Sequence, residues 1–218
     1  MSRTRTFWLL FVILTLGIVV RSYHITARSV WFDESFTARL ISFPVSELIA
    51  RTAADVHPPL YYMLVKWWAF VFGFSVLALR SFSVFCAGLS ILGAYLFAAQ
   101  AFRSKHPGLI AAALLAMSPW TIAYAWEARM YTLGMALALF SSFALLRAIR
   151  KKSFVWFTIY AVLAVAFVYV HYYALFTITA QGLTLITLFL WQTKGRIGEI
   201  MQDRAFWGSI LSFLIIAL

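Results

Sequence analysis

His57-Pro58-Pro59-Leu60-Tyr61-Tyr62, with the run Met63 to Phe74 behind it, decides how this chain is arranged. The run is apolar but short, and Lys66 sits in its middle. A lysine at mid-bilayer costs about 2.5–3.5 kcal/mol on insertion scales. Counting sides settles its role. Arg3 and Arg5 precede the first apolar run, and later basic clusters stand at Arg103 with Lys105, at Arg150-Lys151-Lys152 and at Lys194 with Arg196. If 57–74 crossed the bilayer as well as 77–102, all three later clusters would lie opposite the N-terminus. If it does not cross, every cluster lies with the N-terminus, and positive flanks stay in the cytoplasm. The stretch is therefore read as an interfacial or re-entrant helix, started by the proline pair in its first turn.

The rest of the chain supports a polytopic membrane protein. Hydrophobic residues make up 64% and charged residues 11%, and the mean hydropathy is +0.89, which excludes an ordinary water-soluble domain. Expected spans are Thr6–Val20, Leu77–Phe102, Pro107–Tyr124, Arg129–Ile149, Ser153–Val170 and Tyr172–Trp191, with another starting at Phe206. The net charge of +11 is divided among short inter-span clusters, a topology signal rather than a nucleic-acid stripe. The single cysteine, Cys86, lies in an apolar run and forms no disulfide within the chain. Phe206 to Leu218 is too short to span and ends without a polar flank, so residues 1–218 are expected to be the N-terminal part of a longer protein.

With the N-terminus inside, residues from about 22 to 76 lie outside. This loop holds four of the seven acidic residues: Asp33, Glu34, Glu47 and Asp55. Apolar residues at helical spacing on either side of Pro44 predict two short amphipathic helices on the outer membrane surface. Asp33-Glu34 follows Val30-Trp31-Phe32. One reading of the acid pair is a helix start, with Asp33 as N-cap and Glu34 in the first turn. The other is a base at the membrane edge, able to take a proton from an acceptor hydroxyl. Further polar residues fall on the same side: His57, Arg80, Glu127, Arg129 and His171. Glu127-Ala128-Arg129-Met130-Tyr131 reads either as an interfacial salt bridge with a belt tyrosine or as a grip on a lipid-linked phosphate, which a guanidinium holds at two points. His171-Tyr172-Tyr173 and His57 read as structural groups or as proton and phosphate contacts. Arg80 and Lys66 can snorkel to the surface or face a phosphate. One histidine with distant acids is a weak metal signal, since such sites need three or four ligands.

Taken in order, Trp31-Phe32-Asp33-Glu34, His57-Pro58-Pro59-Leu60-Tyr61, Glu127-Ala128-Arg129-Met130-Tyr131 and His171-Tyr172-Tyr173 resemble the C-type (GT-C) membrane glycosyltransferases, most closely the protein mannosyltransferase and lipid A aminoarabinose transferase group. The resemblance implies an all-α, polytopic GT-C bundle with juxtamembrane helices in its first outer loop, and makes 1–218 the N-terminal part of one transmembrane catalytic domain. It implies transfer of a sugar from a polyprenyl-phosphate donor, at the extracytoplasmic face of the plasma or inner membrane, to a protein, glycan or lipid acceptor. The displacement is inverting, with Asp33 as base and Glu34 as its support. Donor and phosphate contacts are then expected among His57, Lys66, Arg80, Glu127, Arg129, Tyr131, His171 and Tyr172. No metal ligand is assigned, and a divalent metal stays open. A transporter subunit and a non-catalytic scaffold are the alternatives. The gathering of polar residues at one face, away from the midplane where transport sites lie, speaks against the first.

Overall fold

The computed structural model describes residues 2–55, 57–194, 200 and 202–217; Arg196, used above in fixing sides, lies outside them. Its helices are α1 (Arg3–Ser22), α2 (Phe32–Ser42), α3 (Val45–Ala53), α4 (Leu60–Phe72), α5 (Val76–Ala101), α6 (Lys105–Met117), α7 (Pro119–Ala125), α8 (Tyr131–Lys151), α9 (Phe154–Val168), α10 (Ala174–Gln192) and α11 (Arg204–Ala217). No strand occurs among the described residues. α1, α5, α8 and α10 are each long and apolar enough to cross a bilayer. The all-helical membrane bundle expected from the sequence is what the chain forms.

α5 is the centre. Ser75 caps it by accepting the Ala78 N–H, and α1, α4, α6 and α8 pack around it. Small residues permit close approach where no hydrophobic force separates helix from lipid. At Gly108 of α6 a Cβ would come within 2.8 Å of the Tyr95 carbonyl oxygen, so the backbones can meet there only through glycine. α1 turns Phe7, Phe11, Leu16 and Val19 outward, as a lipid-facing helix should.

α4 has 13 residues, about 20 Å of helix, against a hydrocarbon core of about 30 Å. Gly73, at φ +91°, ends it in a conformation that suits glycine. One face buries Tyr61, Tyr62, Val65 and Ala69, while Trp67, Phe70 and Val71 stay exposed. The lysine that argued against a span has found partners: Lys66 Nζ donates to the carbonyls of Ile41 (2.7 Å) and Phe43 (2.8 Å), at the C-terminal end of α2. α2 and α3 are the two short helices expected on either side of Pro44.

Three expectations are corrected. Asp33 is not an N-cap: α2 begins at Phe32, and its cap is Trp31, whose side chain makes no capping hydrogen bond. Pro107–Tyr124 is not one straight span. α6 and α7 meet at a bend of 60°, because Pro119 has no N–H to continue the ladder and forces Ser118 out of the helical region, to ψ 119°. The expected span Ser153–Val170 contracts to the 15 residues of α9; its tail leaves the helix, and the Tyr169 carbonyl accepts the Leu60 N–H of α4 at 3.0 Å.

The bend at Pro119 frees carbonyls that lipid cannot satisfy. Arg21, fully buried near the end of α1, takes them up. Its guanidinium donates to Ala116 O (2.8 Å), Leu115 O (2.9 Å), Thr121 Oγ1 (2.7 Å) and its own helix at Gly17 O (3.0 Å). The Arg21 carbonyl in turn accepts Trp126 Nε1 at 2.8 Å, just before the turn that carries Glu127 and Arg129. Arg21→Met should therefore destabilise the protein by about 1–3 kcal/mol for each acceptor left unpaired, read as a lowered unfolding temperature in detergent. Arg5→Met, at an exposed position, should leave it unchanged.

Candidate active site

Glu34 and Arg80 are both buried and form a two-point ion pair: Nε to Oε1 at 2.8 Å and Nη2 to Oε2 at 2.7 Å. Nothing on either is left unsatisfied. Arg80 also donates to the carbonyls of Ile25 (2.8 Å), Arg28 (3.0 Å) and Ser29 (3.3 Å). Glu34 accepts the Ala128 N–H at 2.9 Å and the N–H of Trp31, its own helix cap. Burial pushes the Glu34 carboxyl up, but Arg80 and these two N–H groups together pull it below the ordinary value of 4.5. The pair thus joins the segment after α1, the start of α2, the N-terminal end of α5 and the α7–α8 turn.

Asp33 has the opposite surroundings. Its side chain is 31% exposed, and its nearest cation is Arg129, Oδ2 to Nη2 at 3.5 Å. The Arg129 side chain is only 3% exposed. Arg129 Nη1 donates to Tyr62 Oη (3.3 Å), and Nη2 lies 3.2 Å from His57 Nε2. A guanidinium has no acceptor atom, so His57 Nε2 accepts and its Nδ1–H donates to Asp55 Oδ2, at 3.3 Å. Asp33, Arg129, His57, Asp55 and Tyr62 form one network from four pieces of chain. Burial works against the Arg129 charge, but Tyr62, Asp33 and Tyr131 outweigh it, and Arg129 stays a cation.

Around this network lie His171 and Tyr131, with ring centroids 6.4 Å apart. They open into a cavity of about 320 Å³ between α7, α8 and the α9–α10 turn, lined also by Trp120, Tyr124, Phe167 and Tyr173. Burial, then the neighbouring His57 and Arg129, lower the His171 pKa, so the ring is neutral near pH 7. Burial and the charge of Glu34 raise the Glu127 carboxyl, against the pull of Arg28 and Arg129.

The sequence-derived set is thus divided. Asp33, His57, Arg129, Tyr131 and His171 come together. Glu34 and Arg80 stand beside them but are committed to each other. Glu127 lines a neighbouring cavity. Lys66 faces the end of α2. Tyr172 is exposed, and it is Tyr173 that stacks on His171, at 4.6 Å. Sequence reasoning missed Tyr62, and it passed over Asp55, two residues before His57 and visible as a partner by that spacing. Among the described residues no three His, Cys, Asp or Glu side chains converge as metal ligands.

With this geometry in place, a family profile described as dolichyl-phosphate-mannose-protein mannosyltransferase matches residues 56–218. The chain belongs to that family. It is a membrane glycosyltransferase of the GT-C type, the resemblance read from its motifs, in a family whose donors are polyprenyl-phosphate sugars. The comparison with curated proteins gave no match. The mannosyltransferase profile covers His57, Arg80, Glu127, Arg129 and His171, while Asp33 and Glu34 precede it.

The Glu34–Arg80 pair should dominate stability at this end of the bundle. Removing one partner of a buried pair costs about 3–5 kcal/mol, so Glu34→Ala should lower the unfolding temperature far more than Glu47→Ala. Glu47 pairs with Arg51 at an exposed site, where such bridges are worth about 0–1 kcal/mol. The sign with pH follows from the lowered Glu34 pKa. The pair's contribution is complete above the unfolded value and is lost as pH falls through the folded one. Thermal unfolding in detergent should show this acid loss in wild type and not in Glu34→Ala.

Proposed function

We propose that residues 1–218 belong to a catalytic domain that transfers a sugar from a polyprenyl phosphate to an acceptor hydroxyl at the extracytoplasmic face, with inversion. The observation that carries this reading is the contrast within the acid pair. Glu34 is buried and fully bonded, while Asp33 is uncapped, partly exposed and 3.5 Å from a buried arginine.

In this reading Asp33 takes the acceptor proton as the acceptor oxygen attacks the anomeric carbon. The bond from that carbon to the phosphate oxygen breaks, and the lipid phosphate leaves with the electron pair. Arg129 receives the departing charge. It has five N–H donors, and Nε has no partner among the described residues. Its position is held by Tyr62, His57 and, through His57, Asp55. Neutral His171 and Tyr131 offer hydrogen bonds at the mouth without adding a competing charge. Their aromatic cavity has almost no polar lining and suits the apolar carrier next to its phosphate. The acceptor is a protein, glycan or lipid hydroxyl.

Asp33→Asn removes the base without disturbing a cap. Donor binding should persist while transfer from a labelled polyprenyl-phosphate sugar falls by about 10²-fold or more; near-wild-type turnover sinks the assignment. Arg129→Ala should impair donor use far more than Arg39→Ala, since Arg39 is exposed over the Phe43 ring. Arg129→Lys should restore only part, keeping charge without the planar fork.

The extracytoplasmic placement has its own test. In a Cys86→Ala background, Ser46→Cys and Ser104→Cys should label from opposite sides of the membrane with an impermeant thiol reagent. Labelling from one side would overturn the topology.

A further inference from the structure

A second cavity, of about 360 Å³, opens beside the first site. Arg28, Ser29, Trp31, Trp126 and Glu127 line it together with the Glu34–Arg80 pair. The pair's polar atoms are already bonded, so the groups available to a ligand are those of the other residues. The Glu127 carboxylate has no hydrogen bond or ion pair among the described residues. The Arg28 guanidinium lies over the Trp126 ring, 5.1 Å from its centroid. Trp31 is 42% exposed, a large indole left open at the membrane edge.

This chemistry selects its ligand. Glu127 balances Arg28, as Glu34 balances Arg80, so the lining has no net charge and favours a neutral ligand. Glu127 and Glu34 repel a phosphate, which separates this cavity from Arg129. The carboxylate and guanidinium disfavour a hydrocarbon chain. What remains is a ligand with an apolar face for the indoles and an edge of hydroxyls that both donate to a carboxylate and accept from a guanidinium. A sugar ring has that form. The volume lies at the low end of small-molecule sites, about 300–1,000 Å³, enough for one ring rather than a chain of them. Trp31 and Glu127 each stand two residues from a group of the reaction site, Asp33 and Arg129.

We propose that this cavity is a sugar subsite, seating one neutral pyranose-type ring. Glu127 accepts its hydroxyls, Arg28 donates to them, and Trp31 and Trp126 cover its apolar face. The proposal rests on the transferase reading above, and the ring comes either from the lipid-linked donor or from a glycan acceptor.

Binding of three probes to the full chain in detergent tests it: polyprenyl phosphate, polyprenyl-phosphate mannose, and methyl mannopyranoside with polyprenyl phosphate saturating. Glu127→Gln keeps the side-chain size and the backbone carbonyl that accepts Ser83 Oγ. Trp31→Leu, altered at an exposed position, is the second variant. Both should leave bare polyprenyl phosphate binding unchanged. If the ring is the donor's, both weaken polyprenyl-phosphate mannose about tenfold, Glu127→Gln by the worth of one charge-assisted hydrogen bond and Trp31→Leu by loss of its stacking face. If it is the acceptor's, both lipids bind as before and methyl mannopyranoside weakens about tenfold instead. Wild-type affinity of both variants for all three probes overturns the subsite, as does an equal loss for bare polyprenyl phosphate. A wild-type protein that binds neither lipid overturns the transferase reading and the subsite with it.

Discussion

The buried contact between Glu34 and Arg80 sets the geometry of the end of this bundle that carries Asp33 and Arg129. Taking two charges out of water costs several kcal/mol each, and attraction alone repays that only with good geometry and full hydrogen bonding. Both conditions hold here. Arg80 meets the carboxylate at two points and three carbonyls besides, and Glu34 adds two backbone N–H groups. The extra bonds come from two loops, the segment between α1 and α2 and the α7–α8 turn. The pair therefore fixes backbone that has no regular structure of its own, between Ile25 and Ser29 and at Ala128. Asp33 is the neighbour of Glu34 and Arg129 the neighbour of Ala128. Their 3.5 Å approach follows from an anchor one residue away on each side.

A second constraint acts through the membrane. Inside lipid, a broken helix must have its free carbonyls satisfied by protein. Pro119 breaks the α6–α7 pair, and Arg21 supplies the donors. The bend aims α7 at the same outer corner where the α7–α8 turn delivers Glu127 and Arg129. Deeper in the bundle, Gln181 of α10 links Tyr160 of α9 to Ser141 and Ser142 of α8, polar contacts between helices of the kind that join spans in lipid. Arginines in this chain thus do three jobs. Arg21 closes a broken helix, Arg80 anchors loops, and Arg129 is a buried arginine facing the partly exposed Asp33.

Some of this was legible in the sequence and some was not, for a physical reason. Apolar runs and basic flanks are written locally, so the gathering of Asp33, His57, Arg129 and His171 at one end of the bundle could be read before any contact was known. The proline pair and Lys66 likewise marked the start and the partly polar face of α4, a helix of 13 residues. Pairing is tertiary. Nothing local says that Arg80 will meet Glu34, 46 residues earlier, or that Lys66 will bond the end of α2 rather than a phosphate. The bend at Pro119 had its signal, a proline preceded by serine, but its depth in an otherwise apolar run made a continuous span look acceptable. Tyr172 and Tyr173 differ in which way the turn before α10 points them: the His171 ring accepts the Tyr173 N–H and stacks on the Tyr173 ring.

The acid pair shows how one short segment serves two ends. Successive residues of a helix point about 100° apart, since 3.6 residues make a turn. At the start of α2, that rotation sends Glu34 into the bundle and leaves Asp33 at its mouth. A carboxylate that binds as tightly as Glu34 is a poor base, because a proton would have to displace an arginine and two N–H groups. A carboxylate as open as Asp33 would be a poor anchor, because solvent screens it and the side chain stays mobile. Neither residue can do both tasks, and adjacency on a helix lets the anchored one hold the open one in place. The helix start orients the pair, burying Glu34 against Arg80 and leaving Asp33 partly exposed beside Arg129.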